Sequence, residues 1–151
     1  MNKQFPLSEM EELITESIKE KGTFTFVPNG ISMLPLFRPG ADTAILTKVP
    51  DKLSSGDVVF YKRKNGQYVL HRIIFTRKKG FILCGDNQKV FEAGIDYKNM
   101  IALVKGIIRD GEVVEFSDNT IYHKYQKKIL AKKRLRFLIW LIPYLMKKHR
   151  A

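Results

Sequence analysis

The stretch "DVVFYKRKNGQYVLHRIIFTR", Asp57 to Arg77, decides the fold. Both of its arms are rich in Val, Ile, Phe and Tyr, the residue types that suit a pleated, half-buried surface. Asn65-Gly66 lies between them, and both residue types accept positive φ, so the spacing predicts a β-hairpin with a two-residue turn. In the second arm, strand alternation puts Val69, His71 and Ile73 on one face, with Leu70 and Arg72 on the other. A histidine therefore sits midway along the most strand-like segment of the chain.

The same period extends to either side. "TFTFVP" aligns Phe24 with Phe26, "TAILTKV" and "FILC" continue the pattern, and "MIALVKGIIRDGEVVEF" divides into two strands about Asp110-Gly111. Ahead of the strands, Ser8 and Glu11 form an S-x-x-E capping box. Met10, Leu13, Ile14 and Ile18 then recur at helical spacing up to Gly22, which predicts a helix from about Glu9 to Lys21. From Ile121 the pattern is helical again and basic. Tyr125, Ile129, Leu135, Leu138, Ile142 and Leu145 fall roughly on one side, and Pro143 is expected to kink or end the helix. The expected fold is mainly β: seven or so short strands behind one N-terminal helix, followed by a basic amphipathic C-terminal helix.

Composition limits the possibilities. A chain of 151 residues, 44% hydrophobic, is long and apolar enough to build one core, which excludes a disordered chain. The single cysteine, Cys84, rules out an intrachain disulfide, and the usual zinc spacings are absent, so neither metal nor cofactor is expected. The net charge of +12 is concentrated at one end: Ile121 to Ala151 holds ten Lys or Arg and no acid. The first 120 residues carry 17 bases against 15 acids and are nearly neutral. This divides the chain into a body, 1–120, and a tail, 121–151.

A tail of this kind seeks anionic surfaces. Trp140, Tyr144 and the cations at both ends of "FLIWLIPYLM" (Phe137 to Met146) suit a helix lying in the membrane interface. The tail carries no nucleic-acid recognition motif, so a specific nucleic-acid partner is not expected. Ten apolar residues fall short of the roughly 20 that cross a bilayer, and the acidic N-terminus is unlike a signal peptide. No transmembrane helix is expected; the expected location is cytoplasmic, or peripheral at the cytoplasmic membrane face.

The candidate chemistry begins at "NGISMLPLFRPG", Asn29 to Gly40, which sets Ser32 in a stiff, apolar turn. A serine hydroxyl is a poor nucleophile until a base takes its proton. His123 and His149 lie in the basic tail, whereas His71 is held on a strand with the geometric definition that a general base requires. Cys84 fits a small core residue, Arg72 a structural residue and Asp57 a turn residue.

Four blocks occur in order: G-x-S-M-x-P at Gly30–Pro35, "SGDVVFYK" at Ser55–Lys62, "YVLHRII" at Tyr68–Ile74 and "CGDN" at Cys84–Asn87. The series, over about residues 26–109, resembles the signal peptidase I clan of serine peptidases. The His-Arg pair makes it most similar to the endoplasmic-reticulum type, which uses Ser-His, rather than to the bacterial Ser-Lys type. The resemblance implies a signal-peptidase-like (repressor-peptidase-like) β-fold over residues 1–120, acting as a serine endopeptidase on an extended peptide or preprotein such as a signal or leader segment. It implies Ser32 as nucleophile and His71 as general base. Asp86 is the favoured third member, and Glu92 is the alternative. It also implies an oxyanion site at the Ser32 N–H and at Gly30, with Met33 packed beside it.

The chain departs from the clan in two respects. Members usually carry a transmembrane helix before the serine, where this chain has only about 22 residues before its first strand, and Gly30 offers no side-chain hydroxyl. A self-cleaving repressor-like protein would need a lysine in place of His71 and a DNA-binding domain before Ser32. The remaining alternative is a non-catalytic peptide-binding or membrane-adaptor module of the same fold.

Overall fold

In the computed structural model, which describes residues 7–148, the period-two segments pair into one eight-stranded antiparallel sheet. Helix α1 (Leu7–Lys21) leads into β1 (Phe24–Phe26), β2 (Thr43–Thr47), β3 (Val58–Lys62) and β4 (Tyr68–Arg77). Strands β5 (Gly80–Cys84), β6 (Glu92–Ile95), β7 (Met100–Arg109) and β8 (Glu112–Glu115) follow, and helix α2 (Thr120–Lys148) closes the chain. The spatial order is β1-β2-β7-β3-β4-β5-β6, with β8 also paired to β7. The ten-residue β7 is the spine: its first half pairs with β3 and its second half with β2.

Alternation along β3 and β4 divides the core between the two faces of the sheet. Val58, Phe60 and Leu70 join Ile14 of α1, Met33 and Phe37 in one cluster. Val59, Tyr61 and Ile73 join Leu53, Leu83 and Ile95 in the other. Each such side chain, fully buried, contributes roughly 1.5–3 kcal/mol relative to exposure.

Several local expectations are corrected. Strands β3 and β4 are joined through Arg63–Gln67, where Arg63 N–H donates to the Gln67 carbonyl at 2.8 Å and only Gly66 takes positive φ. Asn65-Gly66 is thus part of a longer loop rather than a two-residue turn. The two-residue turn with positive φ at both positions lies instead at Asp110 (51°) and Gly111 (80°), where Arg109 pairs with Glu112. Strand β6, short and broken in pattern by Gly94, was not expected. Helix α1 begins at Leu7, so Ser8 stands inside it rather than at its cap; the Ser8 side chain lies outside the described residues.

Helix α2 runs through Pro143 to Lys148. The proline forfeits one bond, to the Ile139 carbonyl, in an exposed stretch where water can replace it. Its apolar residues also fail to form one stripe. Tyr122 and Ile129 are buried against the sheet, while Leu135, Leu138, Ile142 and Leu145 are at least half exposed. At about 100° per residue the second set lies roughly 160° round the helix from the first. Among the described residues no helix is long and apolar enough to cross a membrane.

Candidate active site

The Ser32 turn bridges β1 and β2 and is fixed from three directions. Below, Met33 and Phe37 are driven into the core, at 2% and 0% exposure, so the turn cannot lift away. At its end, buried Asp42 receives Arg38 Nη2 at 2.7 Å and Arg109 Nη2 at 2.6 Å, and Arg109 also donates to the Leu36 carbonyl. Burial raises the Asp42 pKa, but the two guanidiniums outweigh it and hold the carboxyl far below the usual range. On the flank, Asn87 N–H donates to the Ser32 carbonyl at 2.9 Å and Asn87 Nδ2 to the Ile31 carbonyl at 3.1 Å. The "CGDN" block therefore braces the serine turn directly. Within the turn the Leu34–Pro35 peptide is cis.

The turn and the start of β4 enclose a cleft of about 210 Å³, lined by Gly30, Ser32 and Met33 on one side and by Tyr68, Val69 and Leu70 on the other. A larger hollow of about 750 Å³ between α1 and β2 is lined by Thr15, Lys19, Thr47 and Lys48 among apolar residues, and its lining includes no histidine or carboxylate. Strand β4 is unusual along the smaller cleft. It pairs with β5 only from Arg72 onward, whereas Tyr68 to His71 pair with β3 alone. Ile73 exchanges hydrogen bonds with Asp57 and Gly56 on the β3 side, so alternate residues Val69 and His71 also turn their backbone that way. Tyr68 and Leu70 turn theirs to the unpaired side, where no described strand covers them.

His71 is 1% exposed and shares its strand face with Val69. Its Nδ1 lies 3.2 Å from the Tyr61 hydroxyl, which lies 3.0 Å from Glu92 Oε2. A carboxylate only accepts, so the Tyr61 proton points to Glu92 and the Tyr61 oxygen accepts from Nδ1–H. This order fixes the tautomer that leaves Nε2 with the free lone pair. Among the described residues no fully buried side-chain nitrogen goes unpartnered, and Nε2 has no partner. It therefore keeps a sliver of exposure.

Burial pushes the imidazole down to about 4, partly opposed by the Glu92 charge, so His71 is neutral near pH 7. Burial also acts on Glu92, raising its pKa, but hydrogen bonds from Arg63 and Tyr61 outweigh it and hold the carboxyl below its ordinary value. Burial, reinforced by Glu92, pushes the Tyr61 hydroxyl well above its ordinary value, so it keeps its proton.

Asp86 is placed differently from the expectation. Its two oxygens receive Arg72 Nε at 2.8 Å and Nη2 at 2.7 Å, both side chains fully buried, and Tyr125 of α2 donates to it at 2.7 Å. Arg72 also reaches the Gly56 carbonyl and the Tyr122 hydroxyl. Alternation explains the arrangement, since residue 72 faces away from residue 71. The acid beside Nδ1 is Glu92, its Oε1 3.6 Å away. Asp86 braces the opposite face.

Ser32, Gly30 and Met33 share one cleft with the start of β4, but no hydrogen bond joins Ser32 to His71 among the described residues. Met33 contributes as a buried packing residue whose sulfur accepts Asp86 N–H at 3.4 Å. Cys84 is fully buried, its thiol raised by burial. His123 is exposed and bonded to the Ser117 carbonyl, and His149 lies outside the described residues. Tyr61 and Tyr125 carry no site signal in the sequence, because an aromatic in a strand or helix reads as packing. Only the position of Tyr61 two residues along from Val59, on the face that carries His71, signals its reach. No family model, curated protein or solved structure matches this chain.

Proposed function

We propose that the chain is a serine endopeptidase of the signal peptidase type, with a signal-peptidase-like fold, cutting an extended peptide such as a signal or leader segment. One observation carries the reading: Ser32, its side chain engaged in no hydrogen bond among the described residues, shares a cleft with the unpaired edge of β4. An extended peptide can add to that edge through Tyr68 and Leu70, as edge recognition requires. The scissile carbonyl is then delivered beside Ser32.

In this mechanism Ser32 Oγ attacks the carbonyl and passes its proton to His71 Nε2, which returns it to the leaving amine. Tyr61 and Glu92 hold the imidazole and offset its positive charge. The Ser32 N–H, which has no acceptor among the described residues, and the Gly30 backbone receive the oxyanion. Val69 lines the cleft and shares a strand face with His71, two residues or about 7 Å further along, so the mechanism requires the hydroxyl and the imidazole to close on each other when substrate binds. Catalytic hydrogen bonds commonly tighten only when substrate is bound.

A second reading, a non-catalytic peptide-binding module of the same fold, is favoured by the missing Ser32–His71 bond. A fluorophosphonate probe separates the two. The endopeptidase is labelled at Ser32, and both labelling and peptide cleavage vanish in Ser32→Ala and fall at least about 100-fold in His71→Gln. Peptide binding without labelling would establish the second reading. Cleavage undiminished in Ser32→Ala removes the proposed nucleophile.

A further inference from the structure

The outward face of α2 has a composition unlike the face packed on the sheet. Along its first half it presents Lys124, Lys127 and Lys128, all exposed. Along its second half the same face, within an arc of roughly 120° at about 100° per residue, presents Leu135, Leu138, Ile139, Ile142 and Leu145. These are 60%, 56%, 58%, 51% and 50% exposed. No part of the body covers them, and no Asp or Glu occurs anywhere in α2.

We infer that this face docks on an anionic phospholipid bilayer, the lysines on the headgroups and the aliphatic side chains at the acyl boundary. Aliphatic exposure of this extent in a soluble monomer marks an interaction surface. The lysines specify its chemistry. A second copy laid on this face would bring three more lysines against it with no carboxylate to neutralise them, whereas an anionic bilayer satisfies both halves at once. A nucleic acid would match the lysines and leave the leucines in water. Trp140 and Tyr144 stand on the other side of the helix, by the same angular count, so the aliphatic residues and lysines carry the docking rather than the aromatics.

The far face of the same helix is fixed to the body, through Tyr122 and Tyr125 on Arg72 and Asp86. Docking therefore holds the whole domain, and the Ser32 cleft with it, at one orientation to the lipid. The inference stands whether or not Ser32 is a nucleophile.

Vesicle flotation of the full chain tests it, using phosphatidylcholine with and without phosphatidylglycerol. The expected result is binding to the anionic vesicles that weakens as salt rises. Replacing Lys124, Lys127 and Lys128 by Gln reduces that binding at least about tenfold, since cations near the surface supply the attraction to anionic headgroups. Leu138→Glu with Ile142→Glu reduces it as far, with the melting curve unchanged because both positions are exposed. Three results overturn the inference: no binding to anionic vesicles, binding indifferent to the Glu pair, or lipid-free self-association that the Glu pair abolishes.

Discussion

The Ser32 carbonyl oxygen lies 2.6 Å from the point that a Cβ on residue 85 would occupy. Only glycine lets the chain after β5 close on the serine turn this tightly, which is what allows Asn87 N–H to reach the same oxygen. The obstacle is backbone, so it cannot rotate aside. Gly85→Ala is expected to shift the Ser32 turn by a substantial fraction of an ångström. Peptide cleavage should then fall by about 100-fold, as small misplacements of reacting groups do, while the protein stays folded. Steady-state kinetics beside a thermal melt check this, and unchanged kcat would show that the turn tolerates the displacement.

The two carboxylates flanking β4 should part company under substitution. Glu92→Gln and Tyr61→Phe disturb the Nδ1 side of the imidazole, so both should lower kcat by about 10- to 100-fold with KM little changed. Asp86→Asn instead leaves the fully buried Arg72 without its counter-charge, which should cost about 3–5 kcal/mol of stability in a denaturant titration. The opposite pattern, a silent Glu92→Gln and a stable but inactive Asp86→Asn, would restore Asp86 as the orienting acid.

The imidazole of His71 gives a pH signature with a definite sign. Burial holds its folded pKa at about 4, below the ordinary value of 6.5, so between these pH values the unfolded chain binds the extra proton. Stability should therefore fall as pH drops from 6.5 towards 4, by on the order of 3 kcal/mol over the window. His71→Gln should flatten that part of the curve. The acid limb of kcat/KM should likewise appear well below pH 6.5. A limb centred near 6.5, together with a stability profile unchanged by His71→Gln, would contradict a base held neutral by burial.

How far the sequence disclosed these arrangements depends on the range of the contact involved. The strands around His71 and Ser32 were legible because alternation is local, and the facing of His71 away from Arg72 follows from it. The choice between Asp86 and Glu92 was not legible, because it rests on where β6 lies, and "EAGI" with its glycine has no clear period. Asp42, which clasps Arg38 and Arg109, was missed for a related reason: its second partner is 67 residues away in sequence. The two faces of α2 were merged because the tail sets Tyr125 and Ile129 close to Leu135 in sequence, although angular position separates them.

Gly30 offers a gain rather than a loss. Its φ lies outside the positive region, and a Cβ placed there meets nothing within 4 Å, so a side chain can be added without strain. In Gly30→Ser the new hydroxyl would join the lining of the Ser32 cleft, on the side from which the proposed oxyanion is to be received. An added donor acts on charge that develops only in the transition state, so kcat should rise by about tenfold with KM nearly constant. Stability should rise slightly, by roughly 0.5 kcal/mol, because the unfolded chain loses glycine's freedom. Single-turnover rates for the two proteins decide the matter: a serine variant equally stable yet no faster would mean that the oxyanion forms away from residue 30.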